Sequence, residues 1–167
     1  KIFIPLQLRD DMAVRYFTEG YTSYEFFEEG IKEAVSNNAD VIFIIKQHPL
    51  SKYDMTWTED YVNVICTSQD DNVHALIDIS DAVGVYNSGV GLLAIAHCKP
   101  LYNVGNAYYN SQDRLSIRKN SVSEMVDDIS KNSLPMRDDS KIKLFFSWLI
   151  FKKYSWFTAQ DLIRDFV

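Results

Sequence analysis

The run VIFII at residues 41–45 carries the clearest structural signal in the chain. It is continuous, apolar and rich in β-branched residues. This pattern is typical of a strand buried on both faces of a parallel sheet, because a strand with one solvated face alternates apolar and polar residues. Four further short apolar segments have the character of strands, at residues 2–8, 62–66, 82–86 and 100–104. We therefore expect five strands, with 41–45 buried most deeply.

Helix-like segments lie between these strands. The sequence TSYE at 22–25 matches a capping box and predicts the start of a helix that ends at Asn37 and Asn38. Residues 71–79 and 89–97 predict two more helices. Alternating strands and helices indicate βαβ units. We therefore predict an α/β fold, namely a Rossmann-like doubly wound parallel sheet with helices on both faces.

The C-terminal part of the chain is predicted to be helical. Ser121 begins a capping pattern for a helix that reaches about Asn132, and helices near 141–153 and 158–166 follow a turn. This predicts a Rossmann-like domain over residues 1–135 and a C-terminal helical extension over 136–167. The helix near 141–153 is apolar around most of its circumference, which indicates a buried helix or one that packs on a missing lobe. The chain also enters an apolar run directly after Lys1, so we expect one domain cut from a longer protein.

The composition excludes several classes of protein. With 167 residues, 47% of them apolar and 14% aromatic, the chain can form a substantial core, so it is neither disordered nor a disulfide-stapled miniprotein. Its 17 basic and 23 acidic residues give a net charge of −6, which argues against a nucleic-acid partner. Cys66 and Cys98 are expected to be buried free thiols. Because no apolar run is long enough to span a bilayer and no signal peptide is present, we expect a cytoplasmic protein.

In an open parallel sheet, ligands bind beyond the carboxyl ends of the strands. Polar or glycine-rich segments follow four of the predicted strands, at residues 7–11, 46–49, 87–91 and 105–109. The segment NSGVG at 87–91 joins a strand to a helix, where free backbone N–H groups favour a phosphate. The structural alternative is that Ser88 only caps the helix, while Gly89 and Gly91 only let it pack on the sheet. Neither a Walker loop nor a G-x-G-x-x-G motif is present.

Ionisable side chains at the same edge suggest acid–base or nucleophilic chemistry. Pro49 restricts His48 to extended geometry after the buried strand. His48 could there donate to a phosphate or protonate a leaving group, or it could be structural. Asp10 and Asp11 follow the first strand, where they are either a solvated turn or the source of a catalytic carboxylate. No two of the three histidines have metal-ligand spacing, so we expect no metal site.

Several ordered motifs resemble one known family. They are PLQL at 5–8 with Asp11 four residues beyond Gln7, KQHPL at 46–50, NVH at 72–74, YNSGVGL at 86–92, and KP at 99–100 followed by GNAYY at 105–109. Over about residues 1–118 this set resembles the capsule polysaccharide biosynthesis family, bacterial enzymes that resemble β-Kdo (3-deoxy-manno-octulosonic acid) transferases. The resemblance implies the C-terminal, nucleotide-sugar half of a GT-B glycosyltransferase whose donor is CMP-Kdo. It implies no metal or other cofactor.

The resemblance also assigns roles to particular residues. His48 and Ser88, with the backbone of Gly89 and Gly91, would hold the CMP phosphate, and His48 would also take part in catalysis. Gln7 and Asn87 would orient the sugar or its carboxylate. Asp11 matches the carboxylate that acts as nucleophile in a retaining mechanism, although Asp10 could take this role. The predicted nucleotide-sugar site is completed by Gly105 and Tyr108.

The implied partners are a nucleotide-sugar donor, a glycan or glycolipid acceptor, and the N-terminal GT-B lobe of the parent protein. A glycolipid acceptor would bring the domain to the inner face of the bacterial inner membrane. The isolated chain is expected to bind CMP but to turn over little sugar. Two other functions remain open. One is a glycerophosphotransferase of the teichoic-acid type, in which an Asp-Tyr-Ser-Ser run would stand where YNSG is found at 86–89. The other is a noncatalytic, flavodoxin-like interaction module that docks through its aromatic C-terminal segment.

Overall fold

The computed structural model describes residues 1–17, 23–110, 115–131 and 138–153. Contacts divide the chain into two compact units, Lys1–Arg137 and Asp138–Val167. No helix within the described ranges is long and apolar enough to cross a membrane.

The first unit contains a six-stranded sheet in which every strand pair is parallel. Its order is β3-β2-β1-β4-β5-β6. The strands are β1 (Ile2–Pro5), β2 (Phe43–Lys46), β3 (Val64–Thr67), β4 (Ala82–Val85), β5 (Leu101–Asn103) and β6 (Ile117–Arg118). The predicted Rossmann-like parallel α/β fold is confirmed. The sixth strand was not predicted, because two residues give no recognisable apolar run.

Helices follow the strands in the predicted alternation. They are α1 (Met12–Tyr16), α2 (Tyr24–Asn37), α3 (Val73–Ile79), α4 (Val90–Ala96) and α5 (Val122–Ser130), with a 3₁₀ turn at Thr56–Asp60. The Ser23 hydroxyl caps α2 by accepting the Phe26 N–H, and the Ser121 hydroxyl caps α5 in the same way. Thr22, the first residue of the predicted capping box, lies outside the described residues. The sequence did not predict α1 or the 3₁₀ turn.

Helices cover both faces of the sheet. Alternate residues of β1 and β2, such as Ile4 and Phe43, pack in one core cluster with the apolar faces of α2 and α5. Phe3 and Ile44, which point to the opposite face, are equally buried. Helices α2 and α5 approach closely because Gly30 has no side chain. A Cβ atom there would lie 3.2 Å from the Cβ of Val122.

Two predictions about the strands need correction. Strand β1 ends at Pro5 rather than at residue 8, because the backbone of Gln7 leaves the ladder to bond with the Tyr24 hydroxyl. Cys66 is exposed and Cys98 is partly buried, whereas both were expected in the core. The reason for Cys66 is that β3 is an edge strand with incompletely covered residues. Both thiols are free, as predicted.

The second unit begins with helix α6 (Asp139–Trp148), which continues as a π-helical turn (Leu149–Lys153). The Asp138 carboxylate caps α6 by accepting two backbone N–H groups. Leu144 and Phe151 are exposed, so this helix has an apolar face open to solvent. The last predicted helix, at 158–166, lies outside the described residues.

Candidate functional site

The order of the sheet reverses direction between β1 and β4. From β1 the chain proceeds outward to β2 and β3, whereas β4 begins a second series that leads to β5 and β6 on the other side. Neighbouring loops part at such a switch point and leave a crevice beyond the carboxyl ends of the strands, which is where open α/β sheets bind ligands. The segments after β1 and β4, which contain most of the predicted site residues, border this point.

Gln7 and Asn87 meet at the switch point. The Gln7 side-chain amide donates to Asn87 Oδ1 at 3.0 Å, and the Asn87 backbone N–H donates back to Gln7 Oε1 at 3.2 Å. Asn87 Nδ2 also donates to the Ala13 carbonyl of α1 at 2.8 Å. Each amide nitrogen carries two hydrogens, and among the described residues only one hydrogen of each has an acceptor, so the other can serve a ligand. The pair therefore joins β1, β4 and α1.

A buried aromatic cluster supports this pair. The Tyr24 hydroxyl accepts the Gln7 backbone N–H at 2.7 Å and donates to the Gln7 carbonyl at 3.1 Å. The Tyr24 ring packs edge-on against Tyr86, with centroids 5.3 Å apart. Burial raises the pKa of Tyr24 well above its usual range, so the hydroxyl stays protonated and can serve both Gln7 groups.

The turn from Ser88 to Gly91 shows that its two glycines differ. A Cβ atom on Gly89 would meet nothing within 4 Å, whereas one on Gly91 would lie 2.5 Å from the Tyr109 ring. The Tyr109 hydroxyl donates to the Ser88 carbonyl at 2.9 Å. Gly91 is thus a packing residue for Tyr109, and only Gly89 borders open space.

Ser88 caps helix α4, and the turn at Ser88 and Gly89 also presents backbone N–H groups. Its hydroxyl accepts the Val90 N–H at 3.2 Å, which is the capping role considered from the sequence. Within the described ranges, no acceptor is recorded for the backbone N–H groups of Ser88 and Gly89. The structural alternative therefore accounts for Gly91 and for the Ser88 hydroxyl, but not for these two N–H groups.

Gly105 and Tyr108, the remaining predicted residues after β5, have different environments. A Cβ atom on Gly105 would lie 2.9 Å from the Tyr86 ring, so this glycine is needed for packing. Its N–H donates to the Tyr86 carbonyl at 2.8 Å. Tyr108 is 55% exposed and lies edge-on to Tyr109, with centroids 5.4 Å apart. Of the two, Tyr108 is therefore the one whose side chain a ligand can reach.

His48 is half-buried in the loop after β2. Its Nδ1 accepts the Leu50 N–H at 3.1 Å, so the proton of the neutral ring lies on Nε2. No partner of Nε2 is found among the described residues. The ring thus presents one N–H donor, which suits a phosphate oxygen. Within the same ranges, no hydrogen bond joins His48 to Gln7, Asn87 or Ser88.

A hydrogen-bond network holds the His48 loop against the loop after β3. Lys46 Nζ donates to the carbonyls of Ser68 and Gln69. The Gln69 amide donates to Gln47 Oε1 at 3.0 Å and to the Ser51 carbonyl at 2.9 Å. Sequence reasoning missed Gln69, although its place directly after a predicted strand was a usable signal.

The two adjacent aspartates have different surroundings. Asp11 caps α1, since its Oδ1 accepts the Ala13 N–H at 2.8 Å. Asp10 instead lines a cavity of about 790 Å³ between the loops after β1 and β2. Asp11 is connected to the Gln7–Asn87 pair through Ala13, whose carbonyl Asn87 binds. Both carboxylates are exposed, so either could reach a ligand.

Two histidines that looked unremarkable in the sequence lie together. His74 Nδ1 is 2.8 Å from His97 Nε2, and His97 Nδ1 is 2.7 Å from Asp78 Oδ1. The described ranges contain no group of three or more His, Cys, Asp or Glu side chains arranged to hold a metal ion. The cluster joins α3 to the residue that ends α4.

Solved structures of other proteins share the fold of this chain. Thermosulfurimonas dismutans KpsC, a β-Kdo 2,4 transferase, aligns with a TM-score of 0.55 at 18% identity, over 74% of this chain and 39% of that one. The β-Kdo 2,7 transferase of the same KpsC aligns with a TM-score of 0.55 at 22% identity, over 70% and 37%. The described fold is thus that of one lobe of a GT-B glycosyltransferase.

The sequence comparisons show the family. The model of the capsule polysaccharide biosynthesis protein family matches residues 1–120, and the chain belongs to this family. Protein FixF of Sinorhizobium fredii (strain NBRC 101917 / NGR234) is 26% identical over 124 residues, which are 74% of this chain and 31% of that protein. The chain therefore spans between 31% and 39% of the length of these relatives. It is a domain of the capsule polysaccharide biosynthesis family whose fold is like that of GT-B glycosyltransferases.

Proposed function

We propose that this domain binds a CMP-activated acidic sugar, CMP-Kdo, for transfer to a glycan or glycolipid acceptor in capsule or lipopolysaccharide synthesis. The observation that carries the proposal is the pair of backbone N–H groups of Ser88 and Gly89 at the switch point of the sheet, which have no acceptor among the described residues. Membership of the capsule polysaccharide biosynthesis family supports it. The names of the β-Kdo transferases with this fold point to the same donor.

In this proposal the donor phosphate lies against the Ser88–Gly89 turn. The two backbone N–H groups and the Nε2–H of His48 would donate to its oxygens. Such donors stabilise the negative charge that develops on CMP as the bond to the sugar breaks. Gly89 would let the phosphate approach the backbone closely, because no atom lies within 4 Å of the position of a Cβ. Gly91 would act indirectly, by leaving room for Tyr109.

The proposed nucleophile is Asp11, with Asp10 as the alternative. A carboxylate can trap the anomeric carbon of an oxocarbenium-like species and so divide one difficult substitution into two steps. Gln7 uses one amide hydrogen to bind Asn87, and Asn87 uses one to bind Ala13. The second amide hydrogen of each residue would orient the sugar. We assign Tyr108 to the nucleotide sugar as an exposed contact, and Gly105 as the residue that leaves room for the Tyr86 ring. No metal or other cofactor is assigned a role.

The length of the relatives, of which the chain spans between 31% and 39%, supports the proposed partners. We infer that the acceptor binds mainly to an N-terminal GT-B lobe of the parent protein, and that the isolated chain turns over little sugar. A cytoplasmic location at the inner face of the inner membrane would give the domain access to a glycolipid acceptor. Nucleic acid is not an expected partner, because the net charge is −6.

Calorimetric titration of the chain with CMP, UDP and CDP-glycerol tests the proposal. We expect CMP to bind, and His48→Ala to weaken its binding about tenfold, the effect of losing one charge-assisted hydrogen bond. His74→Ala is the matched control, since His74 lies on α3 and has no assigned role. Preference for CDP-glycerol would favour the glycerophosphotransferase. The absence of binding by all three nucleotides would favour the noncatalytic module and overturn the proposal.

A further inference from the structure

A second feature of the same edge is the cavity of about 790 Å³ between the loops after β1 and β2. Besides Arg9, which is paired with Glu28, four charged side chains line it, namely Asp10, Arg15, Glu25 and Lys52. Within the described ranges none of the four has an ion-pair or hydrogen-bond partner through its side chain. Two cations and two carboxylates thus share one cavity while their side chains remain available to a ligand.

One wall of the cavity is an aromatic ring held in place from two sides. The Arg9 guanidinium lies 4.4 Å from the centroid of the Tyr53 ring. Arg9 is itself held by Glu28, to whose Oε2 it donates from both Nε and Nη2 at 2.8 Å. The Gln47 side chain donates to the Tyr53 carbonyl at 2.6 Å. These contacts preorganise the wall, and they neutralise Arg9 so that its charge adds little to the cavity.

The chemistry of the lining selects a class of ligand. A carboxylate on the ligand would pair with Arg15 or Lys52, and sugar hydroxyls would donate to Asp10 or Glu25. The C–H face of a pyranose ring would pack on Tyr53. A polyphosphate fits less well than a single carboxylate, because the two carboxylates in the lining repel its several negative charges more strongly. A neutral sugar could accept hydrogen bonds from the two cations but would form no ion pair with them.

We propose that this cavity binds an acidic sugar through its carboxylate, with Arg15 and Lys52 as the residues that recognise the acid group. The inference rests on the proposed function and deepens it. Gln7 and Asn87 are uncharged and largely occupied with each other, so they contribute no cation to a carboxylate. The acidic sugar in the cavity could belong to either of two molecules: it could be the sugar of the donor or the terminal residue of an acidic acceptor glycan.

The test is an NMR titration of the full chain, followed through backbone ¹H–¹⁵N signals, with free Kdo, mannose and CMP as separate probes. We expect Kdo to shift the signals of residues 9–15 and 50–53, and mannose to bind at least tenfold more weakly. Arg15→Gln combined with Lys52→Gln should weaken Kdo binding about tenfold and leave CMP binding unchanged. Arg15→Lys should retain binding because it keeps the charge. Lys131→Gln is the control, since Lys131 is 72% exposed and lines neither this cavity nor the nucleotide turn.

The outcomes separate this inference from the proposed function. If CMP binds while Kdo shifts no signals of the cavity, or if mannose binds as well as Kdo, the inference is overturned and the proposed function stands. If Kdo binds as expected while CMP does not, the proposed function fails and the cavity assignment stands. If CMP-Kdo displaces free Kdo from the cavity, the cavity holds the sugar of the donor. If CMP-Kdo and free Kdo bind at the same time, the cavity holds the terminal sugar of the acceptor. The wild-type titrations decide these points even if a variant fails to fold.

Discussion

Replacing Gly91 by alanine perturbs the contact that positions the proposed phosphate turn. The added Cβ would lie 2.5 Å from Cζ and 2.6 Å from the hydroxyl oxygen of Tyr109, distances that require the ring to move. Tyr109 is fully buried, so the ring has little space into which it can move. A shift of the ring also disturbs its 2.9 Å hydrogen bond to the Ser88 carbonyl.

The expected loss of stability combines these effects. Overpacking a dense core costs about 1–3 kcal/mol, and a weakened buried hydrogen bond adds about 0.5–1.5 kcal/mol. Alanine is favoured over glycine within a helix by about 1 kcal/mol, which partly offsets both costs. We therefore expect Gly91→Ala to lower the free energy of unfolding by about 1–3 kcal/mol.

Gly89→Ala is the matched control. Its backbone has helical angles, φ −57° and ψ −19°, and a methyl group there would meet no atom within 4 Å. This variant should leave the stability unchanged or raise it by up to about 1 kcal/mol, because alanine restricts the unfolded chain. The same methyl group would occupy the open space proposed for the phosphate, so CMP binding should weaken although the fold is intact.

Urea denaturation followed by tryptophan fluorescence, together with CMP titration, measures both effects. The expected pattern is a lower urea midpoint for Gly91→Ala alone, and weaker CMP binding for a stable Gly89→Ala. If Gly91→Ala is as stable as Gly89→Ala, the steric reasoning is refuted. If Gly89→Ala is stable and binds CMP as tightly as the wild type, the phosphate does not lie against this turn.

Three further predictions follow from the described contacts. Gln7→Leu removes one side of the buried amide pair and leaves buried amide groups unpaired. It should therefore lower the free energy of unfolding, measured by urea titration, by about 2–4 kcal/mol. A change below about 0.5 kcal/mol would contradict this. Burial raises the pKa of Tyr24, and raises that of Tyr102 from 10.0 to about 12. The unfolded chain therefore loses these protons first, so the contribution of the two tyrosines to stability should be constant below about pH 10 and fall as the pH rises toward 12. The fall should be shallower in Tyr24→Phe. A urea midpoint that does not change between about pH 9 and 11 would rule this out. Asp11→Asn keeps the capping oxygen, so it should abolish sugar transfer by the full-length parent enzyme without loss of stability. Asp10→Asn should retain transfer. The reverse result would make Asp10 the nucleophile.

Much of the fold could be predicted from local patterns. The run at 41–45 was recognisable as a buried strand because both faces of the sheet are covered at this strand, which calls for a continuous apolar sequence. The structure places β2 at Phe43–Lys46, shifted by one or two residues, and Ile42 is 39% exposed. Strand β6 and helix α1 escaped prediction because they are too short to show a period.

The surroundings of individual site residues depend on contacts with distant parts of the chain, which a local sequence pattern does not contain. Gly89 and Gly91 are equivalent in the sequence, and only the position of Tyr109 makes one a packing residue and leaves the other open. Cys66 has the apolar neighbours of a core residue but lies on an edge strand, where its side chain is exposed. The sequence also offered no reason to connect His74 with His97, which are 23 positions apart.

The sequence by itself determined the parallel α/β architecture, the family, and the edge of the sheet where polar residues gather, because periodicity and motifs act over a few residues. The tertiary structure decided which of those residues meet. Gln7 and Asn87 are 80 positions apart and pair only because β1 and β4 are neighbours in the sheet. The cavity lined by Asp10, Arg15 and Lys52 likewise exists only because the loops after β1 and β2 lie side by side. Such contacts depend on the order in which the strands assemble, which no short stretch of the chain contains.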